Sequence, residues 1–135
     1  AKDAGLAALL ETTVQTADKS MVALDFQGGI NAIMDFCKRV NGYVTEKEPW
    51  AIAKDESRTS ELNEVLYNTA DAIRALAVLL HPVMPTTTQT LWEALGAEAT
   101  LGKISEQKIS DVSTWGVLPA GCKVTKGAVL FPRLE

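Results

Sequence analysis

Within the stretch TEKEPWAIAK, Thr45 to Lys54, three side chains could do recognition chemistry at a surface: Lys47, Trp50 and Lys54. Pro49 stands directly before Trp50, with Glu46, Glu48 and Asp55 close by. An indole with one face on protein and one face free, beside lysines, is a platform for an unpaired nucleobase, worth about 1–3 kcal/mol per base. RNA readers use it on loops, whose bases can splay out. The other reading of Trp50 is a core residue at the start of a short helix. That reading suits Trp92, while Trp115 is expected to anchor the segment around it. Asn41, nine residues before Trp50, also has two readings. It shares a helical face with Ile30, Met34, Cys37 and Val44, where an amide needs a hydrogen bond. Either its side chain ties down the backbone leading to Pro49 and Trp50, or it bonds a base edge. Lys47, Lys54 and Arg58 are candidates for phosphate contact on local charge alone.

Other chemistry is poorly supplied. His81 is the only histidine, so a Cys/His zinc site and a Ser–His–acid triad have little to work with. Its place between Leu80 and Pro82 is that of a helix end. Glu46 and Glu48 stand two apart on a helix and do not face each other, so they make a poor acid/base pair. No Gly-rich phosphate loop is visible. Cys37 and Cys122 offer no disulfide framework, which fits a reducing cytoplasm. No catalytic residue and no metal site are expected.

The elements must position Trp50 within one ordinary domain of 135 residues, 47% of them hydrophobic. No apolar run is long enough to span a bilayer, and no signal peptide is visible. Net charge is −4, whereas proteins that hold nucleic acid by bulk attraction are usually basic. Lys38 to Arg58 carries five basic residues against four acidic ones, leaving −5 on the rest. Heptad-like spacing predicts a first helix over Asp3–Asp25, interrupted near Ala17–Ser20. A second runs over Gln27–Glu48, with Ile30, Ile33, Met34, Cys37, Val40 and Val44 on one face. Gly28 and Gly29 either loosen its first turn or allow close packing. Pro49 stops it and opens a short turn bearing Trp50. A central helix spans Ser60–Leu80, capped by Thr59 or Ser60, and another spans Pro85–Gly96 with Leu91, Trp92 and Leu95 inward. Residues 97–135 then form an extended tail folded back on the 1–96 bundle, in the same domain. A small hairpin is expected around Lys126-Gly127. The fold class is all-α, an antiparallel helical bundle with this tail.

The segments VNGYVTEKEPWAIAKD and LNEVLYNTADAIRALAVLLHPVMPTTTQTLWEALG, with VLFPRLE at the end, resemble the helical anticodon-binding domain of methionyl-tRNA synthetases. The resemblance covers about Gly29 to Glu135. The leucyl, isoleucyl and valyl enzymes share LLHPVMP…LWEALG, whereas NGYVTEKEPWAIAK and LFPRLE point to the methionyl enzyme. The resemblance implies that Trp50 stacks on an anticodon base of methionine tRNA, that Pro49 lines the same pocket, and that Asn41 shapes it. Two features of the family have no match. An asparagine and an arginine on an earlier helix would fall before Ala1. The catalytic domain, with its His-Ile-Gly-His-type and Lys-Met-Ser-Lys-Ser-type motifs, is not represented.

The expectation is therefore a cytoplasmic module that reads the CAU anticodon for methionine–tRNA ligase. Its partners would be the tRNA anticodon loop and the catalytic domain, with no DNA and no membrane. ATP and methionine would bind that catalytic domain, and this chain would hold no cofactor. The competing expectations are the equivalent domain of a sister synthetase and a helical protein-interaction module in which Trp50 is a hot spot.

Overall fold

The computed structural model describes residues 4–133. Helix α1 spans Ala4–Val22 and α2 spans Phe26–Lys47. Only Ala23–Asp25 separates them, so they pack as an antiparallel hairpin. Asp25 closes the turn: its carboxylate accepts the Gly28 N–H at 2.9 Å. Gly29 lets the helices close up, since a methyl there would meet the Met21 Cε at 3.0 Å and the Ala17 carbonyl at 3.6 Å. The expected break at Ala17–Ser20 is absent. Ala17 is buried and continues the Leu6, Leu10, Val14 stripe, so packing carries the helix through. Asp3, the expected first residue, lies outside the described residues.

Helix α2 is rotated from the expected face. It buries Gly29, Ile33, Phe36, Val40 and Tyr43, and leaves Met34 exposed. Two aromatic rings remove more apolar area from water than Met34 and Cys37 would. Ile30, Met34 and Cys37 instead border an open apolar groove of about 530 Å³ shared with Leu76, Leu80 and Leu91.

After the short helix α3, Pro49–Ile52, a 3-10 turn over Glu56–Arg58 leads into α4, Thr59–Leu80. Neither Thr59 nor Ser60 caps α4. The chain is already turning before it, and the Thr59 hydroxyl donates to the Glu56 carbonyl at 2.7 Å. Asp55 caps the preceding turn instead, accepting the Ser57 N–H at 3.0 Å. Helix α4 is central, touching α2, α3, α5 and the later α7, Ile109–Val112. It returns through Pro82 into α5, Pro85–Ala94, where Trp92 is fully buried and donates to the Gly102 carbonyl at 2.9 Å. Helix α6, Glu98–Leu101, and a 3-10 turn at Ile104–Glu106 follow.

The segment after α7 is held by a buried ion pair on α4. Arg74 donates to Asp71 at 2.8 Å, both at most 3% exposed. Asp71 also accepts the Gly116 and Leu118 N–H groups, at 2.7 and 3.0 Å, and Arg74 donates to the Thr114 carbonyl at 3.0 Å. Trp115 enters the main core with Val112, as expected of an anchor. The expected hairpin at Lys126-Gly127 does not form, and the described residues contain no strand. Thr125 donates instead to the Ala94 carbonyl at 2.8 Å, where the chain passes over Gly96. Gly96 has φ +67°, and a Cβ there would lie 2.7 Å from the Lys123 carbonyl oxygen, so the crossing needs glycine. The whole is an all-α antiparallel bundle with an irregular tail.

Candidate nucleic-acid interface

The Trp50 platform begins with a break in the helix ladder. Glu48 adopts φ +46°, a left-handed conformation, and its N–H still bonds the Val44 carbonyl at 3.1 Å. It is both the last cap of α2 and the first of α3. Pro49 follows at the first helical position, where its missing N–H costs nothing. The Glu48 carbonyl accepts from Ala51 at 2.8 Å and Ile52 at 3.2 Å, closing the turn. Ile52 is 2% exposed and pins this turn to the core, a burial worth about 2 kcal/mol. Trp50 points the other way and is 56% exposed. A four-residue helix thus has one apolar anchor and one displayed indole. Trp50 is therefore not a core tryptophan, in contrast to Trp92 and Trp115.

Around it, Pro49 is half-buried and Lys47, Lys54 and Arg58 are exposed. The Lys47 ammonium sits 5.8 Å from the centroid of the Tyr43 ring, within cation–π range. Lys54 projects from the loop after α3. Arg58 is already engaged, donating to Glu61 through Nε and Nη2 at 2.8 and 2.9 Å. Asp55 stiffens the loop, and the Ser57 hydroxyl donates to it at 2.6 Å. That bond, with the Ser57 N–H, holds the Asp55 carboxyl below its ordinary value.

Asn41 departs from expectation. It is exposed, and no hydrogen bond holds its side-chain amide; its backbone carbonyl accepts from Thr45 Oγ1 at 3.0 Å. The expected brace from its side chain to the backbone before Pro49 is absent, because the rotation of α2 carries position 41 out of the packed face. The residue that does tie the end of α2 down is one that sequence reading passed over. Tyr43 is buried, and its hydroxyl accepts from Asn68 Nδ2 on α4 at 3.1 Å. An asparagine inside the apolar α4 run was the available signal.

His81 ends α4 and its Nδ1 lies 2.8 Å from the buried Thr88 hydroxyl, a link between α4 and α5. Among the described residues no cluster of three or more His, Cys, Asp or Glu side chains could hold a metal ion. Nor is any described helix long and apolar enough to cross a membrane.

Comparison with known proteins places this architecture. Residues 3–117 match the family model of the anticodon-binding domain of tRNA ligase. The methionine–tRNA ligase of Streptomyces coelicolor is 56% identical over 129 residues, covering 93% of this chain and 24% of that protein. That of Halalkalibacterium halodurans is 36% identical over 133 residues, covering 98% and 19%. The chain therefore spans about a quarter or less of the length of these relatives. In structure, apo Mycobacterium tuberculosis methionyl-tRNA synthetase superposes with a TM-score of 0.82 at 24% identity, over 98% of this chain and 26% of that one, a likeness of fold. An all-α bundle that shows an indole beyond a proline-broken helix, with this match over most of its length, belongs to the anticodon-binding domain family of tRNA ligases.

Proposed function

We propose that the chain is the anticodon-reading part of a methionine–tRNA ligase and selects tRNA by its CAU anticodon. The observation that carries the reading is Trp50, more than half exposed on a turn whose other side is locked by buried Ile52. Such an indole offers a flat apolar face at little ordering cost, and a base splayed from a loop can cover it. Pro49 fixes the angle at which the chain leaves α2 and so the direction of the Trp50 ring. Asn41, with its amide free, is better suited to a base edge than to bracing. Lys47 and Lys54 meet phosphate, and Arg58 does so only by giving up Glu61. The identity of 56% to a methionine–tRNA ligase favours methionine tRNA over the tRNAs of sister enzymes. Activation of methionine with ATP and its transfer to the tRNA belong to the rest of the ligase. In this reading the chain works in the cytoplasm and contributes selection, not catalysis.

Titration of the chain with a methionine-tRNA anticodon stem-loop tests this, with indole fluorescence as the signal. The expected result is saturable binding that quenches Trp50 and weakens when the CAU bases are changed. Equal binding by Trp50→Ala, with wild-type emission unmoved by RNA, would overturn the stacking role. Preference for another anticodon would reassign the chain to a sister ligase.

A further inference from the structure

The hydrogen bond between Tyr43 and Asn68 lies where the end of α2 meets α4. Both side chains are buried, at 2% exposure each, and the bond joins the last turns of α2 to the first half of α4. Three features of the display depend on that junction. Lys47 rests over the Tyr43 ring, the left-handed Glu48 follows five residues after Tyr43, and α3 packs on α4 through Ile52. A hydrophobic contact between two helices allows them to slide by fractions of an ångström, whereas a buried hydrogen bond is directional and sets register. A polar pair at this depth is expensive to bury and adds little net stability, so its value lies in geometry.

We propose that Tyr43 and Asn68 are a positioning pair for recognition: their bond fixes the last turn of α2 against α4, and so the presentation of Trp50 and Lys47. The pair touches no base itself. The proposal rests on the reading of Trp50 as a base-stacking residue.

The test uses Tyr43→Phe, Asn68→Leu and the double variant of the 135-residue chain. Iodide quenching of tryptophan emission reads the Trp50 environment without RNA, because Trp92 and Trp115 are buried. Each single variant leaves a buried polar group unpaired and lowers the melting temperature. The double variant removes both groups, and its stability should return close to wild type. A merely structural pair predicts that quenching and stem-loop affinity return with it. The positioning pair predicts that they do not: iodide quenching stays altered, and stem-loop binding stays about fivefold weaker, the scale on which residues that do not touch a ligand modulate its binding. Wild-type quenching and affinity in the double variant would overturn the proposal. If the single variants do not fold, the double variant carries the test alone. Trp50→Ala serves as the control that separates the two readings. If it binds RNA as tightly as wild type, the stacking role has failed. If it binds weakly while the double variant binds like wild type, the positioning role has failed and stacking stands.

Discussion

The properties of Trp50 follow from its neighbours two residues either way. Glu48 turns the chain, Ile52 anchors it, and the indole is left outside. Its truncation should therefore separate binding from folding. Trp50→Ala is expected to cost about 1–3 kcal/mol of stem-loop binding. Calorimetric stability should change by less than about 0.5 kcal/mol, as for surface positions generally. A large fall in melting temperature would mean that the ring packs rather than displays. Asp55 has a different signature, in pH. Its carboxyl titrates below the ordinary 3.8 because the Ser57 hydroxyl and N–H bond its charged form. The stability it contributes is present above that ordinary value and is lost as pH falls through the lower, folded one. The amide of Ser57, followed by NMR, is expected to keep its bonded shift below pH 3.8 and lose it only in stronger acid. Trp50 stood open between two readings in the sequence, while the break at Pro49 was legible because proline cannot continue the hydrogen-bond ladder. The exposed position of Asn41 was not legible. The periodic face that included it was off by the small rotation that buried Phe36 and Tyr43, and one-dimensional spacing cannot rank two adjacent faces.

Among the elements, the left-handed turn at Glu48 and the buried Asp71–Arg74 pair on α4 answer to different rules. A non-glycine residue in the left-handed region carries local strain, of order 1 kcal/mol. Glu48→Gly removes that strain and adds unfolded-chain entropy of similar size, so denaturant midpoints should move little. Glu48→Ile, with a branched Cβ in that region, should destabilise by about 1–2 kcal/mol and alter the Trp50 emission maximum, since the turn must open. The Asp71–Arg74 pair is held to a harsher standard. Removing one partner leaves the other charge buried, which costs about 3–5 kcal/mol. Asp71→Ala also strips the acceptor from the Gly116 and Leu118 N–H groups. That variant is expected to melt far below wild type and to be cut by protease between Thr114 and Cys122, as mass spectrometry of early fragments would show. The helix itself was plain from the apolar period of α4. The Asp71–Arg74 spacing of three was visible, but its burial was hidden, because such a pair reads as surface charge unless its further partners are known, and these are backbone groups 40 to 47 residues on.

On the scale of the whole molecule, the bundle was legible from four amphipathic runs and their prolines, but the tail was not. It lacks periodicity, and apart from the Trp115 anchor its fixed points include backbone groups of the tail bonded to Asp71, Arg74 and Ala94, which leave no trace in the tail's own side-chain pattern. The expected hairpin lost to such a bond, from Thr125 to Ala94. Charge is also a property of the whole. At −4 the chain repels RNA at long range, so attraction must come from the few cations beside Trp50. Of the three near the platform, Arg58 is engaged by Glu61, so the proposed phosphate contacts fall to Lys47 and Lys54. Two phosphate contacts on a single-stranded loop release about 0.7 counterion each. The logarithm of stem-loop affinity against the logarithm of salt is therefore expected to fall with a slope of about −1.4, shallow for an RNA-binding protein. Lys54→Ala should reduce the slope by about half while leaving Trp50 quenching at saturation unchanged. A slope of about −4 or steeper would mean that a wider basic surface holds the RNA. Stacking on Trp50 would then be a minor part of the affinity rather than its centre.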